Sequence, residues 1–120
     1  MAPTEERELI ELCARAVNFG NGKFCWTESE YPKGSGRYGA LWNYVGHMDT
    51  AELFNPLHSK ADCFDLMARL EIDVEFFFDH VVATGRALNP VAREFYGEDS
   101  TAATMLAVCR VAVEIAKGMK

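Results

Sequence analysis

Four side chains of the types that bind zinc or iron, His47, Asp49, His58 and Asp62, flank a turn at Asn55-Pro56. Their spacing matches no metal motif, and two of the four sit where a turn or a helix start takes polar residues for its own purposes. No metal and no cofactor are expected. His80 has no nucleophile or carboxylate partner that the sequence can assign, so it reads as a half-buried imidazole with its hydrogen bonds met rather than a general base. Ser35 lies between Gly34 and Gly36, but the spacing is not that of a nucleophile elbow, and the triplet lacks the lysine of a phosphate-binding loop. The acids Asp62 and Asp65 read as a solvated helix face. With no catalytic constellation, the chain is expected not to be an enzyme.

Two sets of residues are better suited to recognition than to chemistry. Glu71, Asp73 and Glu75 alternate along a predicted strand with Phe77 beside them, an acidic strip next to an aromatic that could dock on a basic protein surface. The second set is the aromatic segment containing Trp26, Tyr31, Arg37 and Tyr38, with Lys23 and Lys33 among them, a mixture that could stack a nucleotide or grip a peptide. Its plainer reading is a group of aromatics closing one end of a small core.

These residues need elements to hold them. Thr4 can cap a helix whose first turn carries Glu5, Glu6 and Glu8; Leu9, Leu12, Cys13 and Ala16, flanked by Ile10 and Val17, form its expected buried stripe, and Asn18 to Gly22 stop it. From Lys23 to Thr50 periodicity fades, leaving short strands at Phe24–Thr27 and Tyr38–Val45 around the turn at Tyr31–Gly36. Ser59 can cap a second helix, with Asp62 three residues on and Cys63, Leu66, Met67 and Leu70 on one face. At Glu71 the period becomes two, and Ile72, Val74, Phe76 and Phe78 are expected on the buried face of a strand.

A second strand near Val81–Thr84 and a third around Val91–Tyr96 follow, although Val74, Phe77, Phe78, Val81 and Val82 also fit helical spacing. Strands are preferred because β-branched and aromatic residues dominate. Asp99 or Ser100 can cap a last helix to about Lys117. Its main buried face is expected to carry Ala102, Met105, Leu106, Cys109, Ala112, Val113 and Ala116, widened by Val108, Val111 and Ile115. A ribbon of Ala103, Ala107, Arg110, Glu114 and Lys117 is left outside. The fold class is α+β: a three-strand antiparallel meander plus one or two short strands, packed with three helices.

A length of 120 residues with 49% hydrophobic content suits one domain spanning residues 1–120. The 12 basic and 18 acidic side chains give a formal charge of -6, which opposes direct binding to nucleic acid. Cys13, Cys25, Cys63 and Cys109 contain no paired C-x-x-C motif and read as reduced core thiols. MAPTEERELI lacks the pattern of a secretion signal, and no apolar run reaches membrane-spanning length, so no membrane association and a cytoplasmic location are expected.

Phe54-Asn55-Pro56-Leu57, followed by Asp62, Leu66, Leu70 and Ile72, and the closing helix introduced by Ala102-Ala103-Thr104 resemble a family of small proteins encoded by bacteriophages and prophages, the phage ABA sandwich domain. Ser59-Lys60 and Cys63-Phe64 depart from its usual pattern. The resemblance implies an α/β sandwich of helices flanking a sheet and brings no activity or catalytic residues. It implies a phage or prophage origin, and with the acidity it leads to the expected function. That function is stoichiometric binding to a host or phage protein with a basic surface in the bacterial cell, for example as an anti-CRISPR-type inhibitor of host defence. A binder of a nucleotide signal through the aromatic segment, and a structural homo-oligomer such as a homodimer, are the alternatives.

Overall fold

The computed structural model describes residues 3–19, 25–30, 38–43, 52–86 and 89–119. In chain order these form α1 (Pro3–Ala16), β1 (Cys25–Glu30), β2 (Tyr38–Asn43), β3 (Glu52–Phe54), α2 (Lys60–Arg69), β4 (Ile72–Phe76), β5 (His80–Gly85), β6 (Val91–Phe95) and α3 (Ser100–Gly118). The class is α+β as expected. The strands fall into two antiparallel three-stranded sheets, β1-β2-β3 and β4-β5-β6. The second is the expected meander, and its strand pairing decides against the helical alternative for residues 74–82. The short strand β3 was not expected: three residues are too few to show a period, and it forms because Leu41 and Phe54 pair across β2 and β3 and are both buried.

Helix starts follow the local chemistry. Ser59 sits in extended backbone and its hydroxyl accepts from the Asp62 amide at 3.2 Å. The Asp99 carboxylate accepts from the amides of Thr101 at 2.9 Å and Ala102 at 3.1 Å. Helix α2 ends at Leu70, and the next residue, Glu71, takes a left-handed conformation with φ of 53. Glu71 is therefore the turn residue that ends α2, not the first residue of the strand as its place in the alternation implied.

Helix α3 is the centre of the core. It packs against α1, α2 and all three strands of the meander, burying Met105, Val108, Cys109, Val111, Ala112 and Ile115. The expected faces are corrected at three positions: Ala103 and Ala107 of the outer ribbon are buried, and Ala102 of the expected buried face is exposed. Small side chains there allow other elements to approach the helix closely, and a scale of hydrophobicity does not register that. Gly85 has a similar role on β5, where an added Cβ would meet Val111 Cγ1 at 3.0 Å and Pro90 Cγ at 3.1 Å. In α1 the buried side is Ile10, Cys13 and Ala14, while Leu9, Leu12, Ala16 and Val17 are half-buried. The expected stripe is thus rotated by about one residue. Among the described residues no helix is long and apolar enough to cross a membrane.

Candidate functional site

Register assigns the acids of β4 to a face of the meander. Val81, Ala83 and Gly85 of β5 are buried under the helix layer, so their neighbours point the other way. Asp73 pairs with Thr84 and Glu75 with Val82, and those pair onward with Val91 and Arg93. The open face therefore carries Asp73-Thr84-Val91 and Glu75-Val82-Arg93 as rows across the sheet, and Asp73, Glu75, Val91 and Arg93 are exposed. Among the described residues no helix covers the acids.

The strip is less uniform than its sequence. Arg86 reaches Glu71 Oε2 at 3.5 Å and Asp73 Oδ2 at 3.7 Å, partly neutralising two of the three acids. These exposed, long contacts contribute little stability, but they change the charge a partner meets. Glu75 is the acid of the strip that joins no ion pair among the described residues.

Beyond Glu75 the chain turns, and here the expected burial is corrected. Phe76 is 64% exposed and Phe78 is fully exposed, where alternation with Ile72 and Val74 had assigned both to the core. The strand ends at Phe76, and the Phe77 amide donates to the His80 carbonyl at 2.8 Å, so Phe78 and Asp79 form the tip of a hairpin. At that tip no buried layer remains for Phe78 to enter.

The rest of the tip is well braced. The Phe77 and His80 rings stack at 4.7 Å with 7° between planes, and Phe95 meets the other ring at 5.7 Å. His80 Nδ1 lies 2.6 Å from Asp79 Oδ1, and the Tyr96 hydroxyl donates to the Phe77 carbonyl at 2.7 Å. The hydrogen bond to His80 holds the Asp79 carboxyl below its ordinary value. This hairpin is a braced support presenting exposed aromatics, with His80 in the satisfied, half-buried state its sequence suggested. Phe78 was missed as a site residue because a period of two was extended past the point where the strand stops, and Phe76 because the helix layer does not cover that end of the sheet's inner face. The usable signal was a turn directly after the phenylalanine run; it falls at Phe78-Asp79, so only part of the run can lie inside.

The aromatic segment is described only in part. Tyr31 and Arg37, with Lys23 and Lys33, lie outside the described residues, and Tyr38 is described as the backbone position in β2 that pairs with Glu30. Trp26 is half-buried against the core, with the Arg7 guanidinium 5.5 Å from its ring centre. Arg7 also holds Glu11 at 2.8 Å. Trp26 therefore fits the plainer reading of that segment, and it does not adjoin the acids of β4 in any described contact.

Of the metal-type residues, His47 and Asp49 lie outside the described residues. His58 Nε2 is 3.1 Å from Glu6 Oε1, and Asp62 accepts the Asn55 amide at 2.9 Å, which fixes the turn before α2. Among the described residues no group of three or more metal-binding side chains has a geometry that could hold an ion. Cys13, Cys63 and Cys109 are buried free thiols, one from each helix. Cys13 Sγ donates to the Cys109 carbonyl at 3.5 Å. Hydrogen bonding to Cys109, then burial, raises the Cys63 thiol far above its ordinary value, and the Cys109 thiol is raised chiefly by its bond with Cys13. Thiols so protonated are poor nucleophiles.

No family model matches the chain, and searches of curated proteins and of solved structures return no match either.

Proposed function

We propose that the chain is a non-enzymatic accessory protein that acts by binding another protein stoichiometrically, with the β4–β5 hairpin as its contact surface. The observation that carries this reading is the full exposure of Phe78 at the tip of a braced hairpin, where Phe76 and Phe77 just before it are exposed as well. Burying one phenylalanine in a partner's pocket is worth about 2 kcal/mol, and rigid aromatics at the centre of a patch are the usual dominant contacts of interfaces. Glu75, in no ion pair among the described residues, favours a partner whose pocket has a basic rim. The sequence resemblance to phage-encoded proteins points to a bacterial partner, and inhibition of a host defence system of the anti-CRISPR type is the most concrete form of the proposal.

The test is affinity capture from bacterial lysate with the wild type and with Phe78→Ser and Glu75→Lys, each first shown to melt like the wild type. A partner held by the wild type and reduced at least tenfold by both changes supports the hairpin as the contact. Capture that both variants leave intact, or no specific capture at all, would sink it.

A further inference from the structure

Leu9 and Leu12 remain half-buried for a structural reason. Helix α1 packs on α3 beyond the last strand of the meander, and a cleft of about 540 Å³ opens between Leu9 and Leu12 on α1, Val113 on α3, and β6. The helix layer is wider than the sheet beneath it. Among the described residues none fills the position of a fourth strand next to β6.

The backbone of β6 is oriented to receive one. The Gly85 amide donates to the Pro90 carbonyl at 2.9 Å and the Tyr96 amide to the Asp79 carbonyl at 3.1 Å. Odd-numbered residues of β5 thus turn their backbone groups toward β6, and the register pairs Val81 with Glu94 and Ala83 with Ala92. Antiparallel alternation then turns the amides and carbonyls of Val91, Arg93 and Phe95 outward, along the cleft. An edge that no described strand pairs, beside a cleft where Leu9, Leu12 and Val113 alternate with charged side chains, is the geometry of strand addition.

The edge is guarded against its own copy. An antiparallel pairing of two β6 strands centred on Arg93 sets Arg93 against Arg93, and one centred on Glu94 sets Glu94 against Glu94, each with like charges directly opposed. A pairing centred on Ala92 runs into Asn89, whose φ of 52 ends the strand. An unlike strand meets no such conflict. Two of the three cations lining the cleft are engaged, Arg110 with Glu94 at 2.6 Å and Lys117 with Glu114 at 3.6 Å, while Arg93 is exposed on β6 itself. Glu5 and Glu8, on the α1 wall, join no ion pair among the described residues.

We propose that β6 and the cleft under α1 receive an extended segment of a partner protein, with alternate apolar side chains against Leu9, Leu12 and Val113 and a lysine or arginine toward Glu5 and Glu8. This rests on the reading of the chain as a protein binder but uses the outer edge of β6, not the hairpin tip. The two surfaces fail separately.

The probe is a capped synthetic peptide, Thr-Val-Thr-Val-Thr-Lys-Thr, and the readout is amide exchange by NMR. Peptide at about 1 mM, a concentration suited to a short flexible ligand, should slow exchange at Val91, Arg93 and Phe95 at least fivefold and leave Ala92 and Glu94 unchanged. The same peptide N-methylated at alternate residues should have no effect on the wild type. Arg93→Pro should abolish the protection, since that amide takes no part in the ladder with β5 and proline is tolerated on an edge strand. Glu8→Lys should weaken the lysine peptide at least fivefold and favour one with glutamate in its place. Absence of protection, or equal protection by the methylated peptide, overturns the proposal. Concentration-dependent protection of these amides without peptide assigns the edge to a second copy and overturns it as well. Phe78→Ser should bind the peptide like the wild type.

Discussion

Three cysteines meet where the helices join, and three phenylalanines follow one another at the hairpin tip. The cysteines, small and weakly polar, are buried free thiols, with Cys13 Sγ donating to the Cys109 carbonyl. The phenylalanines, each with far more apolar surface, are exposed. The cysteines lie where the sequence places them, whereas Phe76 and Phe78 lie opposite to it. At the helix junction, small residues let three helices approach, and the chain's stability resides there. At the tip, large residues stand where no layer remains to cover them, and so contribute little to the fold and much to any surface that meets them.

This contrast is easiest to break at the junction. Leu66 is fully buried on α2, so Leu66→Ala should cost about 3 kcal/mol and lower Tm by about 10 °C. A loss under about 1 kcal/mol in urea titration would mean that the α2–α3 contact matters less than its burial implies. Next in size is the start of α3. Asp99→Ala removes the acceptor for two amides and should cost about 1 kcal/mol, with its exchange effect confined to the first turn.

The smallest effect belongs to the tip. Because Asp79 is held below its ordinary value of 3.8 by His80, its contribution is present above that value and disappears as pH falls through its own lower one. Asp79→Asn should therefore differ from wild type at neutral pH and converge with it in acid, with the Phe77 ring resonances reporting the change. A difference that persists into strong acid would show that the hairpin is braced by something other than this pair.

Much of this was legible in the sequence where a single local interaction decides the outcome. Ser59 capping α2 and the three strands of the meander are of that kind, as is the burial of three cysteines. What could not be read depends on where neighbouring layers end. The period of two that correctly buries Ile72 continues through Phe76 and Phe78, but the covering layer does not. Leu9 and Leu12 have the spacing of a buried stripe, but the sheet stops at β6 before reaching them. Glu71 belongs to the alternation by type and to the helix terminus by backbone. Of the candidate strip, the exposure of Asp73 and Glu75 follows from alternation, while the pairing of Arg86 with Glu71 and Asp73 crosses a chain reversal that no periodicity encodes.

The arrangement around α3 also sets an order of events during synthesis. Every other element of the second half, and α1 from the first, packs on a helix that is made after them. Until it emerges from the ribosome, α1, α2 and the inner face of the meander have no common surface to assemble on, and their apolar sides are open together. The nascent chain thus passes late through its most adhesive stage, and productive folding waits on the arrival of Val108, Val111 and Ile115.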